Sequence, residues 1–597
     1  MKALLAAVAT LLVAAPIADA KPAPKKQRAA KAAKTANVAS AARARIPADK
    51  KGAAARIAIQ AAGEMRPARD VVGRRDEPLT LEEETAKQIQ KLLRGPLRNG
   101  LTGLYVADAR TGQPLFAVNA DDPLNPASNV KMISTATSLE LLGADFRYPT
   151  RVLGPAPTNG TIHGDIYLLG SYDPTLTTDD LDDLAGKLAA AGITSIEGDI
   201  VVGTDPTRDG IFRAVIPLHV TAGEPGHPPV VAVPVGADHI SVTVNAKTSK
   251  KAHRPRLTYK TTVTTSDTGI PLVTVAVGGT IGKGGSAMYP LWTRERTATA
   301  AYALRASLRA NNVNLTGDLR LAELGDYIGD SVTAGSLPVE LARHESRPLS
   351  EIVARINKWS VNWLADRVVM TAAALAHHAQ PSMDLAIESM YSWLSRHANL
   401  SRKDLLIDTG SGLSYKTQIT PAELVAIVRA AGGFTARGAT AKAQAALPME
   451  PDAIAKAWLD SLSIAGHDGT LRHRVRNAQV RARIRGKTGT LSTAIAMSGI
   501  LEIDPSHPLA FSLVTNTDTP LSKPNVRRAH DQVMGTLCNY LARTSKVTAP
   551  SVAPLTGPDT TLPGKAPTLV ESEAPIINDE PDRSEGEREL DAEAAGS

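Results

Sequence analysis

Three short segments of this 597-residue chain hold residue types that can do nucleophilic chemistry. The first is Ser128-Asn129-Val130-Lys131, preceded by Pro126-Ala127. A spacing of three puts Ser128 and Lys131 on one face of a helix. A serine hydroxyl is a weak nucleophile unless a neighbouring base takes its proton. Lysine can be that base only when burial or nearby positive charge lowers its proton affinity. A helix beginning here would also aim backbone N–H groups at a developing oxyanion. The second segment is Ser360-Val361-Asn362, where a hydroxyl and an amide two residues apart can face one cleft from a turn between helices. The hydroxyl could relay a proton and the amide could hold a substrate carbonyl. The third is Lys487-Thr488-Gly489-Thr490. On a strand, alternation sends Lys487 and Gly489 to one side and Thr488 and Thr490 to the other. The glycine lets a substrate backbone approach, and the lysine supplies charge for a carboxylate or for the Ser128 pair. Taken singly, each segment has a commonplace reading: an exposed helix start, a helix cap or a hairpin turn.

The surrounding pattern supplies elements to carry them. Leu81 to Leu93 fits an amphipathic helix capped by Thr80, and Leu101–Ala107 and Pro114–Val118 alternate like paired strands about the turn at Arg110 to Gln113. A helix over Ala127 to Leu142 ends at Gly143. From 148 to 345 short strands predominate, among them Thr161–Leu169, Asp199–Val202, His239–Val244 and Pro271–Val277. One helix there is capped by Thr178 and runs to Ala190. Helical spacing returns at Leu349–Ile356, Ser360–Ala376, Met383–His397 and Pro421–Ala431. Alternation resumes at Arg481–Arg485, Ala494–Leu501 and Leu509–Thr515, before a last helix from Asn525 to about Leu541. One helix-and-sheet pattern thus appears twice, split by a β-rich stretch. The expected organisation is a discontinuous α/β (α+β) domain, 79–147 and 346–545, with helices on both sides of a sheet and a β-rich insertion at 148–345.

Composition closes off other classes. Apolar residues make up 43% and charged residues 21%, an ordinary balance for a globular protein. A single cysteine, Cys538, excludes a disulfide scaffold and reads as core packing. The thirteen histidines show no zinc-ligand spacing, so no metal or other cofactor is expected. The net charge of +7 conceals two arms: eleven Lys/Arg against one Asp in 21–56, and eleven Asp/Glu against three Lys/Arg in 548–597. We read 21–78 as a basic linker and 546–597 as an acidic, Pro-rich disordered tail. The aromatic residues, at 4%, are not interleaved with basic clusters, so nucleic acid is not an expected partner. Residues 1–20 join Lys2, an apolar run and a small-x-small end at Ala18-Asp19-Ala20, as a secretory signal peptide does. Its removal would leave no integral membrane anchor, and the protein is expected outside the cytoplasm, in the periplasm or cell envelope.

The order Ser-x-x-Lys, Ser-x-Asn, Lys-Thr-Gly resembles that of penicillin-binding proteins and serine β-lactamases. The gaps, 232 residues from Ser128 to Ser360 and 127 from Ser360 to Lys487, resemble the D-alanyl-D-alanine carboxypeptidase/endopeptidase family typified by DacB, or penicillin-binding protein 4. Its members carry extra domains between the first two motifs. Segments Tyr167–Leu176, Ile196–Ile200, Asp408–Ser414 and Asp468–Leu471 add to the likeness, which covers about 79–545. The resemblance implies that Ser128 attacks a peptidoglycan stem peptide at its penultimate D-Ala and that Lys131 takes its proton. It implies that Ser360 passes the proton to the leaving amine and that Asn362 orients substrate. It implies that Lys487, Thr488 and Thr490 bind the terminal carboxylate beside Gly489, with the Ser128 and Thr490 N–H groups as oxyanion hole. β-Lactam antibiotics would act as inhibitors. Asp205 is the candidate for the insertion residue that, in this family, reads the diamino acid of the substrate. Val361 departs from the Asp frequent at its position.

Two other readings compete. A serine β-lactamase would turn over the penicilloyl adduct fast, but no Glu-x-x-Leu-Asn follows the second motif. A non-catalytic wall scaffold would not need all three motifs intact.

Overall fold

Strands from both ends of the described chain build one six-stranded antiparallel sheet. Its order is Ser463–Ile464, Ile484–Thr490, Ala494–Leu501, Leu509–Asn516, Leu101–Asp108 and Pro114–Val118. The computed structural model describes residues 79–544, except 204–214, 234–236, 266–270, 293–295, 336, 436–451, 476–482 and 504–506. The two central strands, Ala494–Leu501 and Leu509–Asn516, are buried almost throughout. Such strands need apolar residues at both parities because helices cover both faces. On one face, Ala496, Ile500, Ala510 and Val514 share a core with the helices Lys131–Leu142, Leu349–Trp359, Asn362–His377, Met383–His397, Pro421–Ala431 and Ala453–Ser461. On the other, Thr515 meets His530 of the helix Lys523–Thr544 at 2.9 Å. Helix Leu81–Arg94 packs on that last helix, where Tyr540 donates to Glu82 at 3.1 Å and stands edge-on to Phe116. Cys538 in the same helix is buried, and burial pushes its thiol up. The class is the expected one: a mixed α/β sheet between helical layers.

A second set of sheets occupies residues 149–345. It leaves and rejoins the helical layer through one antiparallel pair, Pro149–Gly154 with Val339–Glu345. Tyr148 anchors that junction: its N–H donates to Ser346 Oγ at 2.9 Å and its hydroxyl meets Thr371 Oγ1 at 2.8 Å. Because the chain departs and returns at neighbouring positions, the insertion need not disturb the helices around it. Its five-stranded sheet, in the order Leu319–Leu321, Ile200–Val202, Ile166–Leu169, Pro149–Gly154, Val339–Glu345, shares a core with helices Thr178–Ala190 and Arg296–Ala310. Two smaller sheets face each other around Leu218, Val275, Val277 and Leu291, and Tyr259 stacks on Tyr289 with ring centroids 3.7 Å apart.

Several local expectations need correction. The cap before Thr178 is Thr177, in a capping box with Asp180. The expected strand Thr161–Leu169 is two strands, Thr161–Ile162 and Ile166–Leu169, broken where Gly164 takes φ 137°. The expected helix from Ala127 opens as a 3-10 turn, Ala127–Val130, and becomes α-helical only at Lys131. Ser360 does not start a helix: it ends one, and the next begins at Asn362. The strand placed at 481–485 runs Ile484–Thr490, while 481 and 482 lie outside the described residues. The expected signal peptide, basic linker, acidic tail and Asp205 also lie outside them.

Candidate active site

The turn bearing Ser128 is pinned from three directions. Ala127, at φ 48°, bends the chain sharply after Pro126. Asn125 holds the bend, accepting the Ala127 N–H at 2.8 Å and donating to the Ser414 carbonyl at 2.9 Å. Asn129 donates to Ser498 Oγ in the sheet at 2.9 Å. Gly489 lies directly against the turn, since a Cβ there would sit 2.4 Å from the Pro126 carbonyl oxygen. The nucleophile's approach is thereby set by backbone, not by a flexible side chain.

Helical spacing then brings Lys131 Nζ to 3.0 Å from Ser128 Oγ. Lys131 is fully buried. Its amine also donates to Asn362 Oδ1 and to the Ser411 carbonyl, both at 2.6 Å. Those two oxygens can only accept, so they take up N–H groups. Once it has given up its charge, an amine held in this way turns its lone pair toward Ser128. The Ser411 carbonyl is itself fixed, because the Ser411 N–H donates to Asp366 Oδ1 at 2.7 Å. Burial pushes the Asp366 carboxyl up from its ordinary range. Neighbouring Gly412, at φ 78°, has no room for a side chain: a Cβ would lie 2.1 Å from the Ala127 carbonyl oxygen.

Ser360 sits at the left-handed end of helix Leu349–Trp359, at φ 59°. That conformation costs a residue with a Cβ about 1–2 kcal/mol. It turns the hydroxyl toward Lys487, whose Nζ lies 2.8 Å away. Asn362 follows as the first residue of the next helix and reaches Lys131.

Lys487 is fully buried, and its Nζ also donates to the Thr488 carbonyl at 2.8 Å. Burial first, and the charge of Lys131 second, hold it well below the ordinary ammonium range. Hydrogen bonds Glu502 N–H to Arg483 carbonyl and Leu491 N–H to Ala494 carbonyl show that odd-numbered residues of the strand face Ala494–Leu501. Thr488 and Thr490 therefore present their backbone groups on the opposite edge. Ser463–Ile464 covers that edge only at Gly486 and Arg485. The Thr488 hydroxyl donates to Thr470 Oγ1 at 2.8 Å, and Thr490 Oγ1 accepts from Arg527 Nη2 at 3.0 Å.

The structure thus gathers Ser128, Lys131, Ser360, Asn362 and the Lys487–Thr490 strand into one place. Sequence reasoning did not assign Ser411, Asp366, Thr470 or Arg527 to it. Ser411 acts through its carbonyl, which no side-chain pattern marks. The segments 408–414 and 468–471 carry part of the family likeness in the sequence, but no pattern there assigns them a role.

The sequence pattern of the D-Ala-D-Ala carboxypeptidase 3 (S13) family matches residues 85–212 and 211–537. A D-alanyl-D-alanine carboxypeptidase from an Actinomadura species is 27% identical over 470 residues, 72% of this chain and 81% of the relative. Carboxypeptidase DacB of Mycolicibacterium smegmatis is 25% identical over 466 residues, 74% of this chain and 83% of the relative. Among solved structures, penicillin-binding protein 4 (dacB) from Haemophilus influenzae, in complex with a β-lactam, superposes with a TM-score of 0.57. That match covers 75% of this chain and 99% of the other at 19% identity, and it shows the fold alone. Family pattern and curated relatives agree over the same stretch: the chain belongs to the D-Ala-D-Ala carboxypeptidase 3 (S13) family and is a serine-type carboxypeptidase, a hydrolase.

Proposed function

We propose that this enzyme cleaves the terminal D-Ala from peptidoglycan stem peptides through an acyl-enzyme on Ser128. The observation that carries this reading is the Lys131 amine, held by two acceptor-only oxygens while it contacts Ser128 Oγ. Lys131 takes the Ser128 proton as Oγ attacks the carbonyl carbon of the penultimate D-Ala. The oxyanion lies between the N–H groups of Ser128 and Thr490, the latter on the open strand edge. As the C–N bond breaks, the proton passes from Lys131 by way of Ser360 to the leaving amine. Water then attacks the ester, and the same groups return its proton to Ser128.

The substrate carboxylate rests on Lys487 and the Thr490 hydroxyl, joined by the Thr488 hydroxyl when its O–H turns from Thr470. The Arg527 contact occupies a lone pair of Thr490 Oγ1, which favours turning its O–H toward that carboxylate. A carboxylate against Lys487 restores the charge that burial disfavours. That charge in turn disfavours a second ammonium on Lys131, so binding of the correct substrate readies the base.

Residues 79–147 and 346–545 form the catalytic domain in this reading, with 148–345 inserted. β-Lactams acylate Ser128 as substrate mimics, and the protein works in the cell envelope. No helix among the described residues is long and apolar enough to cross a membrane.

The test is intact-mass spectrometry of the protein with a penicillin, beside Ser128→Ala. A persistent single adduct, absent from the variant, is the expected result. A transient adduct with bulk penicillin loss would make the protein a β-lactamase instead. No adduct would overturn the assignment of Ser128.

A further inference from the structure

The loop from Leu462 to Leu471 grips the chain just ahead of Ser360. Lys358, two residues before Ser360, is fully buried, and its Nζ lies 2.6 Å from Asp468 Oδ2 and 3.0 Å from the Leu462 carbonyl. The Lys358 carbonyl accepts from Ser463 Oγ at 3.1 Å. Gly469, at φ 54°, packs on that carbonyl so closely that a Cβ would lie 2.4 Å from its oxygen. Arg472 lies over the Trp359 ring, 5.2 Å from its centroid. Asp468 closes the loop on itself, accepting the Ile464 N–H at 2.7 Å.

The same loop also holds the Lys487 strand. Ser463 and Ile464 pair with Gly486 and Arg485, and Thr470 accepts the Thr488 hydroxyl at 2.8 Å. One short block therefore touches both the segment ending in Ser360 and the strand that carries Lys487, and the side chains of these two residues meet at 2.8 Å. A burial cost is attached to this arrangement. An ion pair with a fully buried ammonium is weak ground for stability alone, since well-packed apolar residues often do as well.

We propose that Lys358 and Asp468 are positioning residues for catalysis: through the 462–471 loop they set Ser360 against Lys487 and Thr488, and so govern the rate of acyl transfer. This rests on the reading of Ser128 as nucleophile. The pair fixes where the main chain ends its helix, and hence where the left-handed Ser360 places its hydroxyl. Thr470 carries the same constraint to the carboxylate-binding side of the cleft.

Removing one partner would strand a buried charge and could unfold the protein. The informative variant is therefore the double one, Lys358→Met with Asp468→Asn, compared with wild type by thermal melting and by penicillin acylation kinetics. The expected outcome is a melting temperature close to wild type, an unchanged non-covalent dissociation constant and an acylation rate constant at least tenfold lower. Wild-type acylation in the folded double variant would overturn the proposal and leave the pair a merely structural feature. Thr470→Val, which keeps the ion pair, is a second arm. It is expected to slow acylation by itself and to add less than its own factor to the double variant. Full multiplication of the two effects, or no effect of Thr470→Val, would overturn the proposed relay through the loop. A wild-type protein that forms no adduct would overturn the nucleophile assignment, and this inference with it.

Discussion

Ser360 and Lys487 meet at 2.8 Å across 127 residues of sequence, and they meet because Ser360 adopts a left-handed backbone conformation. A right-handed residue there would continue the helix and carry the hydroxyl away from the cleft. Hydroxyl and backbone conformation are thus separable contributions, and substitution can tell them apart. Ser360→Ala removes the hydroxyl but keeps the strain of a Cβ at positive φ. Ser360→Gly removes both. We expect both to slow penicillin acylation by about 10²-fold or more, the usual scale for a lost proton-transfer group. We expect Ser360→Gly to be the more stable variant by about 1 kcal/mol. Acylation kinetics and urea melts on the pair check this.

Gly412 offers a steric test of the nucleophile's mounting. Its positive φ and the 2.1 Å approach to the Ala127 carbonyl leave no space for a methyl group. Gly412→Ala should cost more than about 2 kcal/mol and, by displacing Ala127, slow acylation at Ser128. Gly535, in the last helix, is the contrast: nothing lies within 4 Å of a Cβ there. Gly535→Ala should stabilise by about 0.5–1 kcal/mol and leave acylation unchanged. Thermal melts and acylation rates of both variants give the answer.

Lys487 makes stability depend on pH in an unusual direction. Its folded-state proton affinity is well below the ordinary value of about 10.4 that applies in the unfolded chain. Between the two, the unfolded chain binds the extra proton, so stability rises with pH. Lys487→Met removes this dependence. The variant should be more stable than wild type near neutrality, with an advantage that shrinks as pH approaches about 10. Urea denaturation across that range measures it. An advantage that grew with pH would contradict the argument.

Asp173 titrates within the insertion with the opposite consequence. Burial pushes its carboxyl up to about 6, against hydrogen bonds from Thr175 that lower it. A raised carboxyl binds its proton in the folded state first, so stability falls as pH rises from about 4 through 6 and stays reduced above. Asp173→Asn keeps an acceptor for Thr175 without the charge. It should stabilise the protein at pH 8 by up to about 3 kcal/mol, at 1.36 kcal/mol per unit, and have little effect at pH 4.

Arg527 tests substrate recognition from the far side of the cleft. It contacts Thr490 Oγ1 from the last helix, beside the proposed carboxylate site. Arg527→Ala should raise KM for a peptide with a free terminal carboxylate about tenfold and change kcat much less. Steady-state release of D-Ala measures both.

The residues whose side chains must be of one chemical type were the ones sequence brought forward. Ser128, Lys131, Ser360, Asn362 and Lys487 stand out by type and spacing, and the structure hydrogen-bonds Lys131 to Ser128 and Asn362, and Lys487 to Ser360. The first helix was equally plain, since Thr80 reads as its cap, and the structure adds Glu83 to complete a capping box there. Other features left no such mark. A serine at positive φ looks like any other serine, so sequence places the start of the second helix at Ser360, where the structure has the left-handed end of the first. The Ser411 carbonyl is a backbone group. The Lys358–Asp468 contact spans 110 residues and obeys no local period. In the insertion, two-residue strands such as Ser195–Ile196 are too short to show alternation.

The pairing of Leu101–Asp108 with Leu509–Asn516 has a consequence for the life of the nascent chain. Thr102 and Thr515, joined across that pair at 2.9 Å, stand 413 residues apart. Closing so long a loop costs about 5 kcal/mol in chain entropy, recovered only when the last strands arrive. Asn129 must likewise find Ser498, 369 residues later. At ribosomal speeds of about 5–20 residues per second, Ser128 exists for roughly 20–70 seconds before the framework that activates it has been made. Activity is therefore expected only once the chain has been made through Asn516, and fragments that stop short of that strand should carry an inert serine.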